Sequence, residues 1–413
     1  MVALAFFLSL VFWPGISGGA TTPRWALLSC VTPIVLLFRP TPWTTAHVVG
    51  LVFVLWCGIT LLWTPNLAFG LNAYWQIILM AVVFALGSST VTLRPVLIAL
   101  GIGFGLNSAL VLMQGLYWDP FKYLVTPGNP SIVGTYINGN LLAECAALTF
   151  IGCTAHRLWW ILPGLVPSII QPWTNGTPRA PLLALGVALV VCVWRWRPLW
   201  AVHLGTLGIG IGLVVIGGQG HNDSLSQRLN IWQDAVHGLN FWGHGLGSFY
   251  LTYPQFADHM NTLVSRPENA HNDYLEYIYE LGIGSVLLVY LVGIGLRTTR
   301  TAEFYMLVAA LVLSTVGFPL HMPVGQFMAA YILGAACSTW LPLRCTVAMG
   351  RIRVLAWLAE IKNSLRGGGT PAPSSDIFSR LSTVRARSRQ LLRRRTLEGI
   401  GTGGGGGNQG SSV

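Results

Sequence analysis

The sequence predicts an all-α polytopic membrane protein, with about twelve transmembrane helices and one large structured periplasmic loop. Three observations carry this reading. Only 9% of the 413 residues are charged and 53% are hydrophobic, whereas soluble domains carry about 25% charged residues. Apolar runs of spanning length recur through the first 343 residues. The basic residues of the short loops collect on one side of the resulting topology. So few charges cannot solvate a globular surface. The alternating strands of a membrane barrel are not seen.

In chain order, spans are expected near 1–17, 25–38, 45–63, 70–88, 95–116, 136–155, 158–171, 180–194, 198–217, 273–296, 302–320 and 326–343. The N-terminus lacks a basic n-region, so the first run reads as a span rather than a cleaved signal. The 25–38 run contains Pro33 and the 158–171 run contains Pro163 and Pro167, so either can be a broken or tilted helix among the others. Arg39, Arg94, Arg157, Arg195, Arg197, Arg297 and Arg300 share one side, which the positive-inside bias makes the cytoplasm. The opposite side carries Arg24, Lys122, Arg179, Arg228 and Arg266, and arginines kept on a disfavoured face are candidates for binding an anionic substrate.

The expected organisation is a helical bundle over 1–343, including a periplasmic loop at 218–272, followed by a basic cytoplasmic tail over 344–413. Most of the net charge of +11 comes from that tail, which holds 12 of the 24 basic residues but only Glu360, Asp376 and Glu398 as acids. Charge placed beside a membrane points to anionic lipids, not nucleic acid. The tail closes in a Gly-rich, low-complexity stretch expected to be disordered. The seven cysteines fall in or beside apolar spans, which suits small buried hydrophobes and gives no disulfide or zinc pattern.

The long loop reads as a small folded lobe. Ser224-Leu225-Ser226-Gln227 fits a capping box, and Leu225, Leu229, Trp232, Val236 and Leu239 follow at helical spacing. Gly243, Gly245 and Gly247 then mark a loop where backbone bends or approaches something closely. Their spacing lacks the strand–helix context of a nucleotide loop. His221, His237, His244 and His259 show no paired spacing of metal ligands, so no metal and no cofactor is expected.

The next span opens on Pro267-Glu268-Asn269-Ala270-His271-Asn272-Asp273-Tyr274-Leu275-Glu276, dense in polar groups at a membrane boundary. The spacing predicts His271 in the first helical turn, sharing a face with Tyr274 and Leu275. A neutral histidine there can take a proton. The competing reading is an interfacial histidine that caps the helix or bonds a carbonyl. Arg228, Arg179 and Arg266 could hold a phosphate bidentately, or each could simply reach to headgroups.

At these residues the sequence resembles the O-antigen ligase and polymerase family. The strongest match is RPENAHNDYLEYIYELGIG, Arg266 to Gly284. A second is SQRLNIWQDAVHGLNFWGHGLGSF, Ser226 to Phe249, and a third is GTYINGNLLA, Gly134 to Ala143. Thr177-Pro178-Arg179-Ala180 is the loosest, with proline and alanine where the family has serine and glycine. The resemblance covers about 130–340 and implies a multi-pass protein of the bacterial inner membrane, with its active site facing the periplasm. It implies metal-independent, inverting transfer of a glycan from a polyprenyl pyrophosphate donor to an acceptor hydroxyl, such as lipid A-core or another glycan. His271 matches the family's essential histidine, and Arg228 and Arg179 its arginines, with Arg266 a further pyrophosphate candidate. Tyr274, Trp232 and Phe249 are the candidates to contact glycan or lipid. A ligase and a polymerase share this chemistry. A solute transporter stands as the third reading, with Glu144 noted as an acid within a span.

Overall fold

The computed structural model describes residues 1–338, apart from 14–19, 39–42, 91, 117, 119, 121–133, 137, 175–179, 197–222, 258–266, 298–300 and 318. The expected span at 198–217, the basic tail, Lys122, Arg179, Arg266, His221 and His259 lie outside the described residues.

Among the described residues the regular elements are helical. They are α1 (Val2–Leu10), α2 (Thr22–Phe38), α3 (Thr45–Thr60), α4 (Leu67–Ser88), α5 (Arg94–Gly115), α6 (Gly139–Ala155), α7 (Leu162–Thr174) and α8 (Ala180–Trp196). There follow α9 (Asp223–His237), α10 (Asp273–Leu281), α11 (Ser285–Leu296), α12 (Thr301–Val316) and α13 (Pro323–Cys337). Among the described residues, three stretches are long and apolar enough to cross a membrane: Leu67–Ser88, Arg94–Gly115 and Asp273–Leu296. Several helices begin where side chains meet the orphan amides of a first turn. Asn66 accepts from the Ala68 and Phe69 amides at 3.0 and 3.3 Å, and Asn138 accepts from the Asn140 amide at 2.8 Å.

The helices pack through buried aliphatic side chains. α13 lies against α4, α5 against α1 and α7, and α12 against α6 and α8. Leu97, Phe104, Leu142, Leu148, Leu313 and Phe327 are among the fully covered residues of that core.

One polar node crosses this apolar interior. Arg24 is 1% exposed. Its guanidinium donates to the Leu8 carbonyl at 2.8 Å, the Ala20 carbonyl at 2.6 Å and the Thr135 hydroxyl at 2.9 Å. It also lies 4.1 Å from the centre of the Tyr136 ring. The Thr135 hydroxyl in turn donates to Asn107 Oδ1 at 2.8 Å, and Asn107 Nδ2 donates to the Ser9 carbonyl at 2.9 Å. The expectation that Arg24 serves an anionic substrate is therefore corrected. Its donors are spent on backbone carbonyls left over where α1 ends and α2 begins.

The expected span at 273–296 is two helices. α10 stops at Leu281, a turn covers Gly282–Gly284, and α11 continues to Leu296. The break has a steric cause: Gly282 has φ +55, and a side chain there would strike the Phe241 carbonyl and the Gly243 amide. The segment before α10 runs alongside the break. The Ile283 amide donates to the Phe241 carbonyl at 2.8 Å, and the amides of His244 and Gly245 donate to the Tyr279 and Glu280 carbonyls at 3.1 and 3.0 Å. The loop glycines are thus where loop backbone meets helix backbone.

Candidate active site

The expected loop helix is α9, and it starts at Asp223, one residue before the anticipated cap Ser224. Its apolar face joins the turn around Phe249 and the outer side of α10 in a small core of Ile231, Ala235, Phe249, Tyr253, Ala270 and Tyr279. Polar ties hold this lobe. The Tyr253 hydroxyl donates to Asp234 at 3.1 Å, and the Tyr279 hydroxyl donates to the Thr252 hydroxyl at 3.0 Å. The Glu280 carboxylate takes the amides of Gly247 and Phe249, both at 2.9 Å, and so pins the glycine loop to α10.

His271 differs from expectation. It does not lie in the first turn of the helix. α10 begins at Asp273, with Asn272 as its cap accepting from the Leu275 amide at 3.1 Å. His271 stands just before it at φ +52, in the left-handed region. For a residue with a Cβ that conformation costs on the order of 1–3 kcal/mol, and such strain gathers where geometry matters to function. The flanking residue is held on both sides. The Ala270 carbonyl accepts from the Trp232 indole at 2.9 Å, and the Ala270 amide donates to Glu276 Oε2 at 2.8 Å.

His271 is half-buried and carries electrostatic neighbours of both signs. Burial first, and the Arg228 guanidinium second, push its imidazole down to about 4, with Glu276 opposing. The ring is therefore neutral at ordinary pH and has a nitrogen able to accept a proton. Arg228, half-buried on α9, is lowered by its own burial and supported by the carboxylate of Glu144 on α6. Glu144 itself is 4% exposed, and its Oε2 has no hydrogen-bond partner among the described residues.

A second histidine, which the sequence reading passed over, holds two acids of α10. His321, in the turn between α12 and α13, bridges two buried acids of α10. Nδ1 sits 3.0 Å from Asp273 Oδ1, and Nε2 sits 3.0 Å from Glu276 Oε1. Asp273 Oδ2 also accepts the Leu320 amide at 3.2 Å. Burial alone would push the His321 imidazole down, but Glu276 and Asp273 outweigh it and hold it well above its ordinary range. The Tyr277 ring stacks on it, with centroids 6.2 Å apart.

The structure thus brings together His271, Arg228, Glu144, Glu276, Asp273 and His321. It puts the other candidates elsewhere. The Tyr274 hydroxyl donates to the Leu311 carbonyl at 2.8 Å, which docks α10 on α12. Trp232 holds the Ala270 carbonyl, as described. Phe249 is 1% exposed, stacked on Tyr253 at 5.1 Å and edge-on to Tyr279, inside the lobe's own core. The acids did leave a signal. Asp273, Glu276 and Glu280 are spaced i, i+3, i+7, which sets three carboxylates on one face of a helix. His321 left only a weak one, a polar residue between Pro319 and Pro323 in an apolar region.

The O-antigen ligase family model matches residues 176–290. That stretch contains α9, the glycine loop, His271 and α10. The match supports the O-antigen ligase resemblance and, with the apolar helices, a membrane protein handling a lipid-linked glycan in general. No curated protein matches the chain.

Proposed function

We propose that this chain transfers a glycan from a polyprenyl (undecaprenyl) pyrophosphate carrier to an acceptor hydroxyl at the periplasmic face of the bacterial inner membrane, as an O-antigen ligase acting on lipid A-core. The observation that carries this is His271, kept neutral beside Arg228 within the family-matched region. In this reading the acceptor hydroxyl attacks the anomeric carbon, the bond to the carrier's pyrophosphate breaks, and His271 takes the hydroxyl proton. Arg228, with Arg179 and Arg266, stabilises the negative charge growing on the leaving pyrophosphate. In this reading the carrier's glycosyl pyrophosphate supplies both leaving group and driving force, and the arginines take the place of a metal in neutralising it.

The rest of the reading follows the sequence: about twelve spans in the bundle 1–343, the loop 218–272 outside, and a cytoplasmic tail over 344–413 resting on anionic lipid. The test is purified protein in nanodiscs, given a polyprenyl-pyrophosphate oligosaccharide and a panel of acceptors, with product read by mass spectrometry. The expected result is the donor's glycan joined to lipid A-core, with free polyprenyl pyrophosphate released. It should survive chelator and be lost in His271→Ala. A product in which one donor glycan extends another would make the protein a polymerase. No transfer to any acceptor by well-folded protein would end the transferase reading.

A further inference from the structure

We infer that His321 is a positioning residue: by bridging Asp273 and Glu276 it fixes the Glu276 carboxylate on the Ala270 amide, and so sets the left-handed turn that aims His271. The inference rests on the reading of His271 as the proton acceptor and extends it to a residue far along the chain, outside the family-matched region.

The geometry runs as a short relay. The two nitrogens of His321 are each 3.0 Å from a carboxylate oxygen, one on Asp273 and one on Glu276. An ionised carboxylate only accepts hydrogen bonds, so both nitrogens donate. That leaves His321 with no nitrogen to receive a substrate proton, and its role is mechanical and electrostatic. The other oxygen of Glu276 receives the Ala270 amide at 2.8 Å, one residue from His271. Glu276 is thereby held at both oxygens, by the turn above it and the imidazole below. Without His321, two buried acids three residues apart would face each other uncompensated. Glu276 would then be free to turn away from Ala270, and the turn that holds His271 in a backbone conformation side chains rarely adopt would lose that support.

The charged and titratable groups facing His321 are Asp273 and Glu276 directly, the Tyr277 ring stacked on it, and Glu280 one turn further along α10. Two substitutions separate the two arms of the bridge. His321→Gln reaches far enough to keep a donor on Glu276. His321→Asn keeps a donor only where Nδ1 meets Asp273. If the relay operates, kcat in the nanodisc transfer assay falls roughly a hundredfold in His321→Asn and roughly tenfold or less in His321→Gln, the scale expected when a reacting group is misplaced by about 1 Å. KM for the donor should stay within about twofold of wild type, because Arg228 and Glu144 are untouched.

Equal activity of both variants and wild type would overturn the inference. So would equal losses in both that track their folded fraction by size-exclusion and thermal melting. If either variant does not fold, Glu276→Gln gives a second route, since it keeps the shape but loses the charge that His321 holds. A wild-type kcat in well-folded Glu276→Gln would also overturn the relay. His271→Ala run alongside keeps the two readings apart. If it retains transfer, the catalytic assignment of His271 fails. If it is inactive while the His321 variants match wild type, only the relay fails.

Discussion

Arg24 and Arg228 fall on the same side of the topology drawn from the sequence, and both are arginines where that topology disfavours them. The structure gives them opposite surroundings. Arg24 sits in the core with its donors on the Leu8 and Ala20 carbonyls and the Thr135 hydroxyl, and its neighbours are neutral. Arg228 is half-buried on a lobe helix, among a carboxylate and a histidine that respond to its charge. A guanidinium surrounded by carbonyls ties backbone together, because each donor satisfies an acceptor that would otherwise be buried unpaired. A guanidinium among titratable groups changes their protonation, and that is what a site of acid–base chemistry requires. Side of the membrane does not separate the two roles. The partners of the donors do.

Substitutions can break that contrast. His271→Ala should show the largest effect, a fall in transfer rate of roughly 10²–10⁴-fold, the usual contribution of a general base, with the melting curve little changed. Activity within tenfold of wild type would remove His271 from the chemistry. Arg24→Met should do the reverse. It strands several buried acceptors, each costing about 1–3 kcal/mol, so the detergent-solubilised protein should lose about 3 kcal/mol or more while activity per folded molecule holds. A specific loss of activity without loss of stability would return Arg24 to the candidates for substrate binding. Arg228→Lys keeps the charge but gives up the planar fork, and kcat should fall roughly tenfold.

Two smaller effects sharpen the picture of His271. Glycine accepts a positive φ without strain, so His271→Gly should be inactive yet melt no lower than His271→Ala, by a margin of about 1 kcal/mol. Transfer should also be flat from neutral pH downward and decline only as pH nears about 4, where the folded imidazole gains its proton. The sign follows from a folded value below the unfolded one: the fold favours the neutral ring. Stability should therefore weaken between the unfolded value of about 6.5 and about 4, as the unfolded chain alone binds the proton. A rate midpoint at 6.5 would mean an imidazole in water.

Much of the architecture was legible because it depends on one-dimensional signals. Apolar runs mark helices from the sequence. The loop helix was legible from its apolar spacing, while His271 stood out by the polar density around it and took its role only from the family resemblance. Three things were not. The conformation of His271 follows from Asn272 taking the cap position, a choice between neighbouring polar residues that spacing cannot make. The break at Gly282 depends on a distant segment, Phe241 to Gly247, lying against it. His321 reaches its acids from 48 and 45 residues away along the chain, through helix packing that no local pattern encodes.

The break at Gly282 also bears on the membrane. Tyr279 of α10 packs in the lobe, Tyr277 and Leu281 pack with Phe53, Cys57 and Ile77 of the bundle, and beyond the break stands α11, 12 residues long. At about 1.5 Å per residue it is roughly 18 Å long, against a hydrocarbon thickness of about 30 Å. Alone it is too short to cross, so the crossing takes in α10 as well, as the 24-residue stretch Asp273–Leu296 allows by length and composition. The buried acids of α10 thus belong to a stretch that can cross a membrane, and their partners are the glycine loop, the Ala270 turn and His321.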